Sequence, residues 1–209
     1  MENQDSRYEI LKREIFRIAE KELSKLPKKL EYHNTDHYED VISAASRIAV
    51  SEGIESRNKE YNLLKTASLL HDVGLLFTYK NHEERGGLFA KSILPTYEYS
   101  SEEIETIYGM ILSTKMPQNP ETGLQKIICD ADLDNLGRKD FFEKGELLRK
   151  ELENYGIKMS DEQWYTNTFN LIKNHSYHTN SQRELRDERK KRNINSLIKI
   201  LDSLKISAR

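Results

Sequence analysis

An all-α fold is what this chain predicts, and three observations carry the prediction. Apolar residues recur at spacings of three and four rather than two, the signature of helices buried along one stripe. Glycine and proline contribute only 9 and 4 of the 209 residues, about half their usual combined share, so the tight turns of a β-sandwich or a Gly-rich nucleotide loop are scarce. Charged residues make up 33% and apolar residues 36%, against about 25% and 45–50% in average globular chains, as expected for many solvated helix faces around a modest core. The chain is long enough to build such a core.

The first apolar stripe is Tyr8, Leu11, Ile15 and Ile18, and it ends before Pro27. Asn34, Thr35 and Asp36 are alternative N-caps for a second helix carrying Val41, Ala44, Ala45 and Ile48. Leu63, Ala67, Leu70 and His71 form a third stripe, with Gly74 just beyond it. Ser100 and Glu103 read as a capping box ahead of Ile104, Ile107 and Ile111. Leu124, Ile127, Ile128 and Ala131 run into the segment DADLDNLG, and Phe141, Leu148 and Leu152 follow before Gly156. Two more amphipathic helices, Ser160 to His175 and Asn193 to Leu204, complete the pattern. No repeat, low-complexity tract or long linker interrupts it, so residues 1–209 are expected to form a single domain. A small C-terminal subdomain after Gly156 is the alternative.

Charge and composition exclude several partner classes. The balance of 33 basic and 35 acidic residues creates no global field for nucleic acid or an anionic membrane, so neither is an expected partner. The basic stretch Arg183 to Arg192 also holds three acidic side chains and reads as a solvated helix face rather than an RNA-contacting patch. A lone cysteine, Cys129, leaves no internal disulfide and no cysteine zinc cluster, and suits a reducing compartment. No apolar run approaches the ~18 residues of a membrane span, and MENQDSRYEI lacks a basic segment leading into an apolar one; a cytoplasmic protein is expected.

Histidine placement is the informative feature, since four of the six lie between positions 33 and 82. His33 and His37 are four apart in YHNTDHYEDV. A helix starting near Asp36 projects His37 from its first turn on the face of Val41 and leaves His33 in the preceding loop. A lone histidine there would be a core residue with its nitrogens satisfied. His71 alters that balance, because it lies on another apolar face and is followed by Asp72. A carboxylate beside Leu69, Leu70 and Val73 costs several kcal/mol to bury unless it finds a partner. A divalent metal is one such partner; a helix N-terminus or an arginine is another. In IICDADLDNLG, Asp130 and Asp132 lie about 200° apart on a helix, so only one of them faces such a site. An EF-hand is excluded: counted from Asp130, Asn135 and Phe141 stand where that loop needs a glycine and a bidentate glutamate.

The ordered set HNTDHYEDV, LLHDVG and DADLDNLG, each on a predicted helix, resembles the HD-domain metal-dependent phosphohydrolases, whose pattern is H…HD…D. The resemblance covers about residues 31–137. It implies an HD-type helical bundle, with additional C-terminal helices over about 138–209. It makes His37 the first metal ligand, His71 and Asp72 the central pair, and Asp132, after Ala131, the last; Asp130 then orients a ligand histidine or a water. Two imidazoles and two carboxylates suit Mn²⁺, Fe²⁺, Co²⁺, Ni²⁺, Zn²⁺ or Mg²⁺, as one ion or two, and leave positions for water and a phosphate oxygen. Asp72 also helps to orient that water.

Further roles follow from the same resemblance. Tyr32-His33-Asn34, followed by His37, is similar to the YHN-x-x-H segment of cyclic-nucleotide phosphodiesterases, which implies His33 as the general acid. Val73, Gly74 and Leu75 depart from those enzymes, which carry another histidine soon after the aspartate. His82 and Glu83 stand where many HD domains place side chains that align the water or hold a second metal; a plain helix start with acids near its N-terminus is the alternative. Lys115 is the candidate cation for a substrate phosphate, or a lysine that merely complements a helix C-terminus. His175 and His178 read as surface or capping residues that could border the pocket. The expected activity is hydrolysis of a phosphomonoester or phosphodiester, of a nucleotide, by metal-activated water. A catalytically silent sensor that binds metal and nucleotide is the alternative.

Overall fold

The computed structural model describes residues 2–23 and 29–207; Pro27, expected to follow the first helix, lies outside them. The described residues contain helices and no strand: α1 (Glu2–Leu23), α2 (Thr35–Ser51), α3 (Lys59–Leu70), α4 (His82–Ile93), α5 (Ser101–Ser113), α6 (Gly123–Asp132), α7 (Phe141–Asn154), α8 (Asp161–Asn174) and α9 (Asn180–Ser207). Short 3₁₀ turns at Val73–Leu76, Leu94–Tyr97 and Asp134–Gly137 link them. Among the described residues no helix is long and apolar enough to cross a membrane.

Local chemistry sets the helix starts. Asn34 caps α2, its Oδ1 accepting the N–H groups of Asp36 (2.9 Å) and His37 (3.3 Å). Reciprocal capping boxes open α5 (Ser100 with Glu103), α6 (Thr122 with Gln125) and α8 (Ser160 with Gln163). The final helix differs from the expectation of Asn193 to Leu204. It begins at Asn180 and absorbs the charged stretch Arg183–Arg192. That half is invisible to hydrophobic periodicity because polar groups anchor it: Gln182 and Arg186 bind Asp134, and Lys190 donates to the His175 carbonyl at 2.6 Å.

Two apolar clusters organise the chain. The larger joins α1 through α6, with Tyr8, Leu11, Ile48, Leu64, Leu70, Ile107 and Ile128 all fully buried. The smaller joins Leu136, Phe141, Ile172 and Leu197, from the last 3₁₀ turn and α7 to α9. A close approach ties the turn after α3 to the start of α4. A Cβ on Gly74 would lie 1.9 Å from the His82 carbonyl oxygen and 2.7 Å from the Gly86 nitrogen, so only glycine allows this contact.

Candidate metal centre

Three element ends meet at one point. The Asn34 cap places His37 on the first turn of α2, where it is 4% exposed. Helix α3 ends at Leu70; His71 keeps helical angles (φ −58°, ψ −39°), and Asp72 (φ −105°, ψ 4°) turns the chain into the 3₁₀ turn. Asp132 is the last residue of α6. One ligand atom from each of His37, His71, Asp72 and Asp132 lies within 4.8 Å of all the others. The Nδ1–H of His71 donates to the Ser68 carbonyl at 2.8 Å, which leaves the Nε2 lone pair of the neutral ring for the site.

The side chains present fit a divalent cation. Nε2 of His71 is 3.0 Å and Nε2 of His37 is 3.2 Å from Oδ2 of Asp72, and Asp132 Oδ1 is 3.5 and 3.6 Å from the same two nitrogens. These atoms are close but misaligned for hydrogen bonding: Nε2 of both histidines and Oδ2 of Asp72 are buried without a hydrogen-bond partner. Buried polar atoms left so are costly, and atoms that converge on a common centre instead of on each other are what an ion satisfies. Two imidazoles and two carboxylates form a donor set for first-row divalent metals and Mg²⁺.

The fields inside the cluster are strong. Burial alone would lower the pKa of His37, but the Asp132 and Asp72 carboxylates outweigh it and raise the value. His71 is likewise driven down by burial and held well above its ordinary value by the charges of Asp72 and Asp132. Burial would raise both carboxyls; His71 and His33 hold Asp72 well below the usual range, and His37 and His71 hold Asp132 down to about 2. The carboxylates thus favour protonation of both histidines, and a cation entering the site competes with protons.

His33, in the loop before α2, places Nε2 3.8 Å from Asp72 Oδ2. Its ring is held by Glu151, a residue the sequence did not single out. Glu151, on α7, is fully buried and accepts four donors: His33 Nδ1 at 2.5 Å and the Tyr79 hydroxyl at 3.1 Å on Oε1, and the backbone N–H groups of Tyr32 (2.9 Å) and His33 (3.0 Å) on Oε2. Burial would raise the Glu151 carboxyl, yet His33 and those backbone donors keep it below the usual range. Position was a faint signal for Glu151, because it lies between Leu148 and Leu152 on the apolar stripe of α7. On the other side, His82 opens α4 and sets Nε2 3.2 Å from Asp72 Oδ1 and 3.7 Å from Glu83 Oε1. Burial lowers the pKa of His82, and Asp72 more than restores it.

Other candidates fall elsewhere. Asp130, expected to orient a ligand or a water, instead points away from the cluster. It accepts the N–H groups of His178 and Thr179, both at 2.8 Å, and the Thr179 hydroxyl at 2.7 Å. The 200° offset from Asp132 sends it to the α8–α9 connection, where it is a structural clasp. Lys115 pairs with Glu84 at 3.2 Å on the exposed surface and does not line the cleft at the cluster. His175 is largely buried against Lys190, its pKa pushed down to about 3 by burial and by that charge, and with His178 it borders a separate hollow.

A cleft of about 420 Å³ opens onto Asp72, Asp132, His33 and His82. Its far wall is apolar and comes mainly from the second cluster of helices, with Leu148, Leu152, Met159 and Trp164.

Comparison with known proteins places the fold. The chain superposes on the crystal structure, at 1.45 Å resolution, of a predicted HD superfamily hydrolase from an uncultured Thermotogales bacterium, with a TM-score of 0.60 over 92% of each chain at 19% identity. The fold is therefore the helical one expected. In sequence, an uncharacterized protein of Clostridium beijerinckii is 39% identical over 83 residues, 38% of this chain and 51% of that one, so the match spans about half the relative's length. No protein-family profile matches the chain.

Proposed function

We propose that this protein is a metal-dependent phosphohydrolase that cleaves a phosphoester of a nucleotide. The observation that carries the reading is the convergence of unpartnered His37 Nε2, His71 Nε2 and Asp72 Oδ2 with Asp132, at the floor of a cleft wide enough for a small molecule. The likeness in fold to a predicted HD superfamily hydrolase supports it.

The four ligands would hold the ion, which when bound supplies Lewis acidity toward water and the phosphoryl oxygens. The chain's own groups do the rest. Asp72 reaches the cluster through Oδ2 and His82 through Oδ1, so it is placed both to bind and to orient an attacking water. Glu151 clamps the His33 ring by its Nδ1–H, leaving Nε2 turned toward Asp72 and the cleft, where it can deliver a proton to the departing oxygen. The apolar wall excludes water from the organic side of the ester.

Metal analysis combined with a screen over nucleotides and nitrophenyl phosphoesters tests the proposal. Protein loaded with Mn²⁺, Ni²⁺ or Fe²⁺ should retain metal through gel filtration and release product from at least one ester, and His71→Ala should lose both. Tightly metallated protein that cleaves none of these esters would overturn the enzymatic reading in favour of a binding module.

A further inference from the structure

The wall of the cleft constrains the ligand more than the metal cluster does. Resting on the phosphohydrolase reading, we propose that the substrate carries a single phosphate on an apolar or aromatic organic group, and that di- and triphosphates are poor ligands.

The wall is built by Leu148 and Leu152 of α7, Trp164 and Leu171 of α8, and Met159 between them. Among the described residues that line the cleft there is no lysine or arginine, while Asp72, Asp132 and Glu83 bring carboxylates to its floor. Four cationic side chains of the neighbouring elements are paired with acidic groups that do not line the cleft: Lys115 with Glu84, Lys144 and Arg138 with Asp40, and Arg149 with Asp161. One phosphate at the cluster would be met by the ion, His33 and His82. A second or third would have to run along a mostly apolar surface whose polar groups, such as Asn167 and Thr168, are neutral, leaving anionic charge desolvated without a counter-charge. An aromatic or alkyl group placed there gains instead from burial against Leu148, Leu152 and Trp164.

Trp164 is the chain's only tryptophan, so its emission reports directly on this wall. The test titrates metal-loaded protein with phenylphosphonate, methylphosphonate and pyrophosphate, non-hydrolysable or minimal probes, by calorimetry and Trp164 fluorescence. Phenylphosphonate should bind at least about tenfold tighter than methylphosphonate, as burial of an aromatic ring allows, and tighter than pyrophosphate, with a shift in Trp164 emission. Leu148→Lys should reverse the order toward pyrophosphate, its fold checked by circular dichroism; Leu152→Lys serves if the first variant does not fold. Pyrophosphate binding as tightly as phenylphosphonate to the unsubstituted protein, or phenylphosphonate binding that leaves Trp164 unaffected, would overturn the proposal. These readouts need no turnover. Preferential phenylphosphonate binding without hydrolysis of any aryl phosphate would therefore sink the enzymatic reading while leaving the ligand class standing.

Discussion

Removal of the buried Glu151 carboxylate should damage both the fold and the His33 step, in a way that separates it from the metal ligands. The carboxylate is fully buried and serves four donors, one of them a ring N–H at 2.5 Å. Glu151→Ala strands two backbone N–H groups, the Tyr79 hydroxyl and the His33 ring. Neutral buried donors cost about 1 kcal/mol or more each when left unpaired and a charge-assisted one more, so the loss should be about 3–5 kcal/mol after partial rescue by water. For a chain of this length, that corresponds to a fall in Tm of about 6–20 °C. Glu151→Gln keeps the shape but offers one carbonyl oxygen where two were used, and its NH₂ faces a pair of donors; about 2–3 kcal/mol is expected. None of the four metal ligands touches Glu151, so metal content should persist in Glu151→Gln. Turnover should drop by about 10²-fold or more for an ester with a poor leaving group, and far less for a nitrophenyl ester that needs no proton. Thermal melts, metal analysis and rates on both esters would decide the matter. Wild-type stability together with unchanged leaving-group sensitivity in Glu151→Gln would refute the clamp.

Three further outcomes are expected. His37→Ala should lose metal and activity together, whereas His33→Ala should keep stoichiometric metal and slow cleavage by about 10²–10⁴-fold, chiefly for poor leaving groups; metal loss in His33→Ala would make it a ligand instead. Gly74→Ala should destabilise by about 1–3 kcal/mol or more, because the new Cβ meets backbone atoms of α4 that have nowhere to move; an unchanged melting temperature would contradict the close approach. In metal-free protein, His37 and His71 sit above their ordinary value of 6.5 and Asp132 sits at about 2 against an ordinary 3.8. The histidine contribution is complete below pH 6.5 and lost as pH rises through the raised values, and the Asp132 contribution is complete above 3.8 and lost as pH falls toward 2. Metal-free protein should therefore melt highest between about pH 4 and 6.5, and the stabilisation given by added metal should grow from pH 6 to 8 as fewer protons need displacing. A metal-induced Tm shift independent of pH would contradict this.

The candidate cluster was legible in sequence through the resemblance in H…HD…D order and where a residue type clashed with its local pattern. His37, His71 and Asp72 fall on or beside apolar stripes, where polar side chains need a partner, and the helical angle separates Asp132 from Asp130. The direction of each aspartate then depended on what α8 and α9 bring back, and no local pattern encodes that return: Asp130 meets the backbone of His178 and Thr179. Glu151 was hidden for the same reason. Its place between Leu148 and Leu152 hints at an inward carboxylate, but its partners come from two distant loops. The helices themselves were readable from apolar period and caps, except α4, whose buried face is Glu83, Gly86, Gly87 and Ala90 with no side-chain cap, and the first half of α9, whose anchors to Asp134 and His175 are polar.

The two apolar clusters assign different work to the two parts of the chain. The His/Asp cluster comes from helices of the larger core, where His71 is wholly buried and Gly74 locks α4 against the turn after α3, so the proposed ligand atoms sit on densely packed elements. The cleft wall comes mainly from α7 and α8, which pack around the smaller cluster and present partly exposed Leu148, Leu152 and Met159. Substitutions there should change the surface offered to the proposed organic group while leaving His37, His71, Asp72 and Asp132 in place. Glu151 bridges the two parts, reaching from α7 to the loop that carries His33. On the proposed mechanism, the ring that serves the leaving oxygen is therefore positioned by the same helix that forms the cleft wall.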